Sequence, residues 1–265
     1  MNPRVPLAKF PGEACLALER RIRTGLKSVV IATCLGTAGV QAQVADTTLT
    51  TVTEIISDVT DVVVPPDVTN IRIGLGPIYS PDYEGSDDYK VRFKPLISFR
   101  YRDLIHVDNN HLRVNLSIKD KGDDGRFNAG PLVKVDFGRN KSDNPDLAGL
   151  GGVGTSVELG AFASYTIGIT RARLRLQQDV TSGHSGTMLA GDVRVILNRT
   201  GRLVVIGSIN ATWADSAYMD AYFSVNEAQS SGSGMPVFNA GSGVKDVRLA
   251  LGAKLDITDT WALAG

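Results

Sequence analysis

The sequence predicts an all-β fold, an antiparallel transmembrane β-barrel of the outer membrane, and three observations predict it. Apolar and polar side chains alternate over most of the chain beyond residue 69, the period that sends successive side chains to opposite faces of a strand. The alternating runs are about 9–13 residues long, close to what a tilted membrane strand needs. An export signal precedes them, and beyond it there is neither a cysteine nor an apolar run long enough for a membrane helix. A complete barrel of this kind is expected to have about 10–12 strands.

The signal occupies residues 1–42. The basic segment "RRIRTGLK" precedes the short apolar run "SVVIATCLGTAGV", and Val40 and Ala42 suit the small-residue positions of a cleavage site after Ala42. Both cysteines, Cys15 and Cys34, fall inside it, so the mature chain has no disulfide or cysteine metal site in a compartment that permits disulfides. Six of the 28 basic residues but only two of the 28 acidic ones lie in these 42 positions, which leaves the remainder acidic by four. That balance argues against nucleic acid as a partner, since a nucleic-acid binder needs a basic patch or stripe. Residues 43–68, closed by Pro65 and Pro66, read as a flexible periplasmic lead-in, and residues 69–265 as the barrel.

Within the barrel each run divides into two faces. Val91, Phe93, Pro95, Ile97, Phe99 and Tyr101 alternate with Arg92, Lys94, Leu96, Ser98, Arg100 and Arg102. Ala172, Leu174 and Leu176 alternate with Arg171, Arg173, Arg175 and Gln177. The same pattern covers Ile71–Leu75, Leu112–Ile118, Val133–Phe137, Val157–Ile169, Val193–Leu197, Leu203–Trp213 and Val247–Leu255, with turn-rich separators such as "SGHSG" and "NRTG" between the runs. No amphipathic helix of 12 or more residues is expected. A soluble sandwich would bury the apolar face instead. Against it stand a polar face that mixes Arg and Lys with small Gly and Ser, as a lumen would, and aromatics near the run ends: Tyr79, Tyr83, Tyr89, Tyr101, Tyr218, Tyr222, Phe223 and Trp261. On this reading Arg92, Lys94, Arg100, Arg102, Arg171, Arg173 and Arg175 face the lumen. Pro95 lacks a ladder donor and marks a local break in pairing or a bend.

The chemical motifs are weak. "GLGGVG" matches G-x-G-x-x-G at Gly149, Gly151 and Gly154, but a strand follows where a dinucleotide site requires a helix. "DYEGSDD" offers Asp82, Glu84, Asp87 and Asp88 as oxygen ligands without EF-hand spacing, so it reads as a solvated turn. "SGHSG" is not a nucleophile elbow, and His106, His111 and His184 have no metal spacing. No catalytic residue, metal or cofactor is expected. The Arg171, Arg173, Arg175 ladder has two readings: a pore lining that favours anions, or pairing with acids such as Glu158, Asp179 or Asp192 that fills a narrow lumen. Asp82, Tyr83, Glu84, Asp87, Asp88 and His184 are the candidate loop contacts.

Four stretches carry a resemblance: "SPDYEGSDDYKVRFKPLISFRYRD" (80–103), "ELGAFASY" (158–165), "TSGHSG" (181–186) and the run 211–265, above all Ala211–Val225 with the Ser/Gly-rich loop after it. Together the chain from about residue 70 resembles the MipA/OmpV family of Gram-negative outer-membrane proteins. The resemblance implies a barrel without enzymatic chemistry, a scaffold that brings a murein lytic transglycosylase together with a bifunctional penicillin-binding protein; related members are known as surface antigens, with adhesion and solute passage also proposed. It supplies no catalytic residues. The leader is longer than is usual in the family, and family members continue beyond "DTWALAG" to a terminal aromatic residue, so this chain is expected to lack the last strands. The expected function is therefore a scaffold at the outer membrane, reached by the Sec pathway, with a narrow channel for small polar or anionic solutes or a surface adhesin as the alternatives.

Overall fold

The computed structural model describes residues 28–32, 69–120 and 125–265. The lead-in 43–68 and the rest of the expected signal lie outside the described residues. One 13-stranded sheet organises the chain. Its strands are β1 (Ser28–Ala32), β2 (Asn70–Pro81), β3 (Tyr89–Tyr101), β4 (Ile105–Asp108), β5 (His111–Val114), β6 (Ser117–Asp120), β7 (Arg126–Asp136), β8 (Ser156–Ile167), β9 (Thr170–Asp179), β10 (Thr187–Thr200), β11 (Leu203–Ala214), β12 (Gly243–Asp256) and β13 (Trp261–Ala264). From β7 to β13 consecutive strands pair antiparallel as a meander.

The pairing changes character between β3 and β7. β5 and β6 both pair with β7, and the four steps from Arg113 to Ser117 stand against three from Leu132 to Ala129. The extra residue makes a β-bulge at Asn115–Leu116, so β5 and β6 are one bent strand. The short β4–β5 hairpin reaches only part of the way up β3. At its tip the Ile97 amide donates to Asn109 Oδ1 at 2.7 Å, and the Ile97 carbonyl accepts from the Asn109 amide at 2.8 Å. By the two-residue period the backbone groups of Pro95, Phe93 and Val91 point to this same side, where no strand among the described residues pairs with them. Pro95 thus stands on an unpaired edge, where its missing N–H costs no ladder bond.

Burial is inverted relative to a water-soluble sheet. Leu249 is 80 % exposed, Leu251 71 % and Phe93 70 %, whereas Arg173 is 2 % exposed and Asp192 3 %. An apolar outer face and a charged buried face follow the alternation strand by strand. A few apolar side chains join the buried face: Ile78, Leu96, Leu132 and Phe162, and the pair Val204 and Ile206 near the β10–β11 turn. The exposed tyrosines and tryptophans sort to the two strand ends. Tyr79, Tyr89 and Trp213 lie near the end that carries the long connections, and Tyr101, Tyr165 and Trp261 near the end with the short turns. The rings of Tyr79 and Tyr89 lie 5.2 Å apart. Tyr218 and Tyr222, expected in this belt, are instead buried under the long connections.

Two elements add to the strands read from sequence. The segment Ser28–Ala32, read from sequence as signal, lies as β1 between β2 and β13 and runs parallel to both; it is apolar and rich in β-branched residues, which suits a strand as well as a signal. β2 and β13 do not pair with each other. Between β11 and β12 the chain forms two short helices, α1 (Ser216–Phe223) and α2 (Glu227–Ser233). Asp215 caps α1 by accepting from the Tyr218 amide, and Asn226 with Gln229 forms a capping box on α2, which stops at Gly234 in a left-handed conformation (φ 77°).

Candidate functional site

Four connections converge at one end of the sheet: 82–88, 137–155, 180–186 and 215–242, which includes α1 and α2. Spacing by four places Tyr218 and Tyr222 on one side of α1. Their rings stack at 4.7 Å and pack with Met188, Val153 and Ala214. The turn 180–186 is drawn inward by Asp179, whose carboxylate accepts from the amides of Thr181, His184 and Ser185, each at 2.8 Å. Gly186 then lies so close to α1 that a Cβ on it would sit 2.4 Å from the Tyr218 amide nitrogen. Gly186→Ala is therefore expected to push α1 off the turn; increased protease cleavage within 215–242, with the sheet intact by circular dichroism, is the readout.

Beneath α1 lies a buried charge network. Glu158 is fully buried; Oε2 accepts from Gln177 Nε2 at 2.7 Å, while Oε1 is 3.2 Å from both Lys134 Nζ and His184 Nε2. His184 Nδ1 accepts from the Gly186 amide at 3.1 Å, which leaves Nε2 as the nitrogen that donates to Glu158. Lys134 also bonds Asp136 at 2.8 Å, and Asp136 accepts from the Tyr222 hydroxyl at 3.3 Å. On the other flank Glu84 accepts from the Tyr218 hydroxyl at 3.1 Å and from Lys245 at 2.7 Å, with the ammonium 5.1 Å from the Tyr218 ring centre. Single removals here would leave a buried charge or donor unpaired, the costly direction for such groups.

Burial raises the Tyr218 hydroxyl well above its ordinary value, and the Glu84 carboxylate adds to the shift. Folded Tyr218 keeps a proton that the unfolded chain gives up near pH 10, so the packing of α1 weakens as pH rises above about 10 and is independent of this group below it. A tyrosinate absorbance titration is expected to show a late-ionising tyrosine that is absent from Tyr218→Phe.

The residues singled out from sequence fall into distinct places. Asp192 holds three arginines of the buried face: Arg173 at 3.0 Å, Arg175 at 3.4 Å and Arg194 at 3.3 Å. Arg171 is half-buried and donates to Thr166 at 3.2 Å. Arg100 is buried; Arg92 and Lys94 are half-buried on the same face, with Arg92 bonded to the Ser80 hydroxyl and to the carbonyls of Pro81 and Asp82. Arg102 departs from the expectation. It is exposed in the turn after β3 with φ 50°, because the alternation ends at Tyr101. Of the loop candidates, Asp87 and Asp88 are exposed and Asp82, Tyr83 and Glu84 half-buried. Asp82 is held by Lys90 at 3.1 Å, and Asn144 bridges Asp82 and Asp88 at 3.3 and 3.1 Å. His184 is not a surface contact at all: it is 3 % exposed, with its ring edge-on to Tyr218 at 4.8 Å. Arg139, Lys134, Asp136 and Tyr222 were missed as members of this site; only their position beside turn signals could have drawn attention to them. Among the described residues no group of three or more His, Cys, Asp or Glu is placed to hold a metal ion.

Fold and site together define a class: a β-protein built on one mainly antiparallel sheet, with its charged face buried, its apolar face exposed and its long connections packed over one end. The sequence profile described as "MltA-interacting protein MipA" matches residues 73–265, and the chain belongs to that family. No curated protein and no solved structure matches it.

Proposed function

We propose that the protein is an outer-membrane β-barrel that works without catalysis, as a docking platform for a murein lytic transglycosylase and a bifunctional penicillin-binding protein beside it. The inverted burial is the observation that carries the membrane reading: a face as apolar as Val91, Phe93, Leu249 and Leu251 is far larger than the isolated apolar residues of an ordinary soluble surface. The partner follows from the family's description as interacting with MltA. For the barrel, β5 and β6 counted as one and the parallel β1 set aside leave eleven antiparallel strands in the sheet. An odd count makes β2 and β13 run the same way, which is why β1 between them is parallel to both; an antiparallel strand in that position would give the even number usual for such barrels.

Bacterial barrels place short turns in the periplasm and long loops outside. By that rule the enzyme-facing surface is the short-turn end: the turns 102–104, 168–169, 201–202 and 257–260, together with the lead-in. Exposed Arg102 belongs to this surface, while Asp87 and Asp88 belong to the opposite one. The channel reading has less support, because Arg173 and Arg175 are packed on Asp192 and the long connections cover the far end. The test is retention of a purified lytic transglycosylase by the full chain refolded in detergent and immobilised, with an unrelated barrel as control. Retention that weakens on Arg102→Glu is the expected result. No retention by a demonstrably folded protein overturns the platform reading.

A further inference from the structure

The geometry points to a small-anion site under the long connections, in which Arg139 receives the carboxylate of a small monoanionic molecule. A cavity of about 100 Å³ opens here, lined by Tyr83, Glu84, Lys134, Arg139 and Tyr218 among others. About 10–15 Å³ of such volume holds one water-sized group, so the space suits a molecule the size of a hydroxy acid or an amino acid. The cations around it are engaged: Lys134 with Asp136 and Glu158, Arg175 with Asp192, Lys245 with Glu84, and Arg248 with Asp246.

Arg139 is different. Among the described residues no carboxylate lies within ion-pair distance of it. One of its donors, Nη1, reaches the Tyr222 carbonyl at 2.7 Å, and the guanidinium lies 5.9 Å from the Tyr222 ring centre. Its Nε–H is buried and has no acceptor. A guanidinium cannot shed its charge, and a half-buried one with an orphaned donor is matched by a planar anion that takes two N–H bonds at once. A carboxylate fits better than a phosphate dianion, because Glu84, Asp136 and Asp143 line the same cavity and would repel a second negative charge. The Tyr83 and Tyr218 hydroxyls and these acids suit a ligand that also carries hydroxyl or ammonium donors.

This site is independent of the docking reading, since it lies at the opposite end of the strands from the proposed enzyme-facing turns. The test uses the nitrogen-15-labelled full chain refolded in detergent micelles and reads the arginine Nε–H resonances. The Arg139 signal is assigned by its loss in Arg139→Lys and Arg139→Gln. Sodium lactate is expected to shift that signal saturably, against sodium chloride at equal ionic strength, and Arg139→Gln is expected to weaken lactate binding by about tenfold or more. Should a variant fail to fold, the wild-type titration still decides. An Arg139 signal that lactate leaves in place, or that chloride moves equally, overturns the site; inorganic phosphate binding more tightly than lactate overturns the choice of a monocarboxylate.

Discussion

Leu249→Arg is expected to destabilise the protein in lipid by about 2–4 kcal/mol, the cost of an arginine on the lipid face near the bilayer midplane. Leu249 stands at the middle of β12 with 80 % of its surface exposed and packs on little protein. For a protein in water such a site is nearly neutral, because surface substitutions away from special features stay within about 0.5 kcal/mol. The two environments therefore give opposite answers for one substitution. Urea unfolding of the protein in lipid vesicles, followed by tryptophan fluorescence, reads the difference. Asp259→Arg, in the exposed β12–β13 turn, serves as the control and is expected to change little.

Asp192→Ala is expected to cost about 3–5 kcal/mol, the usual penalty for removing one partner of a buried ion pair. Arg173, Arg175 and Arg194 all direct guanidinium nitrogens at this one carboxylate, and all three are less than a tenth exposed. Their charges would remain when the acid is gone. The same unfolding experiment measures it, with Asp192→Asn separating charge from shape. A wet anion pathway behaves differently: water would solvate the freed arginines, stability would hold, and anion conductance would rise. Loss of stability without conductance supports a lumen packed with ion pairs.

The strands and their faces were readable because alternation is a local signal. Each of Val91, Phe93 and Ile97 stands out against Arg92 and Lys94 without knowledge of any neighbour, and the expected break at Pro95 corresponds to the unpaired stretch of β3. The helices were missed for a different reason. α1 and α2 are shorter than the 12 residues sought, although Asp215 ahead of "SAYM" and Asn226 with Gln229 three residues on are legible start signals. The site itself depends on long-range approach. Nothing local shows that His184 will bond Glu158, 26 residues earlier, or that Tyr218 will reach Glu84, 134 residues away. Arg102 was misplaced because the alternating period was carried one residue past the end of its strand.

The membrane-embedded outer face is the central claim, and the protein's two tryptophans test it directly. Trp213 and Trp261 are about half-exposed on the outer face, near opposite ends of the strands, where aromatic belts meet the lipid headgroups. The measurement is fluorescence quenching of the full chain in vesicles whose lipids carry bromine at defined depths, with Trp213→Phe and Trp261→Phe to isolate each signal. Both tryptophans are predicted to be quenched, and more strongly by shallow bromine than by bromine at the bilayer centre. Emission from both that no depth of bromine affects, in protein shown to be folded, would contradict the account.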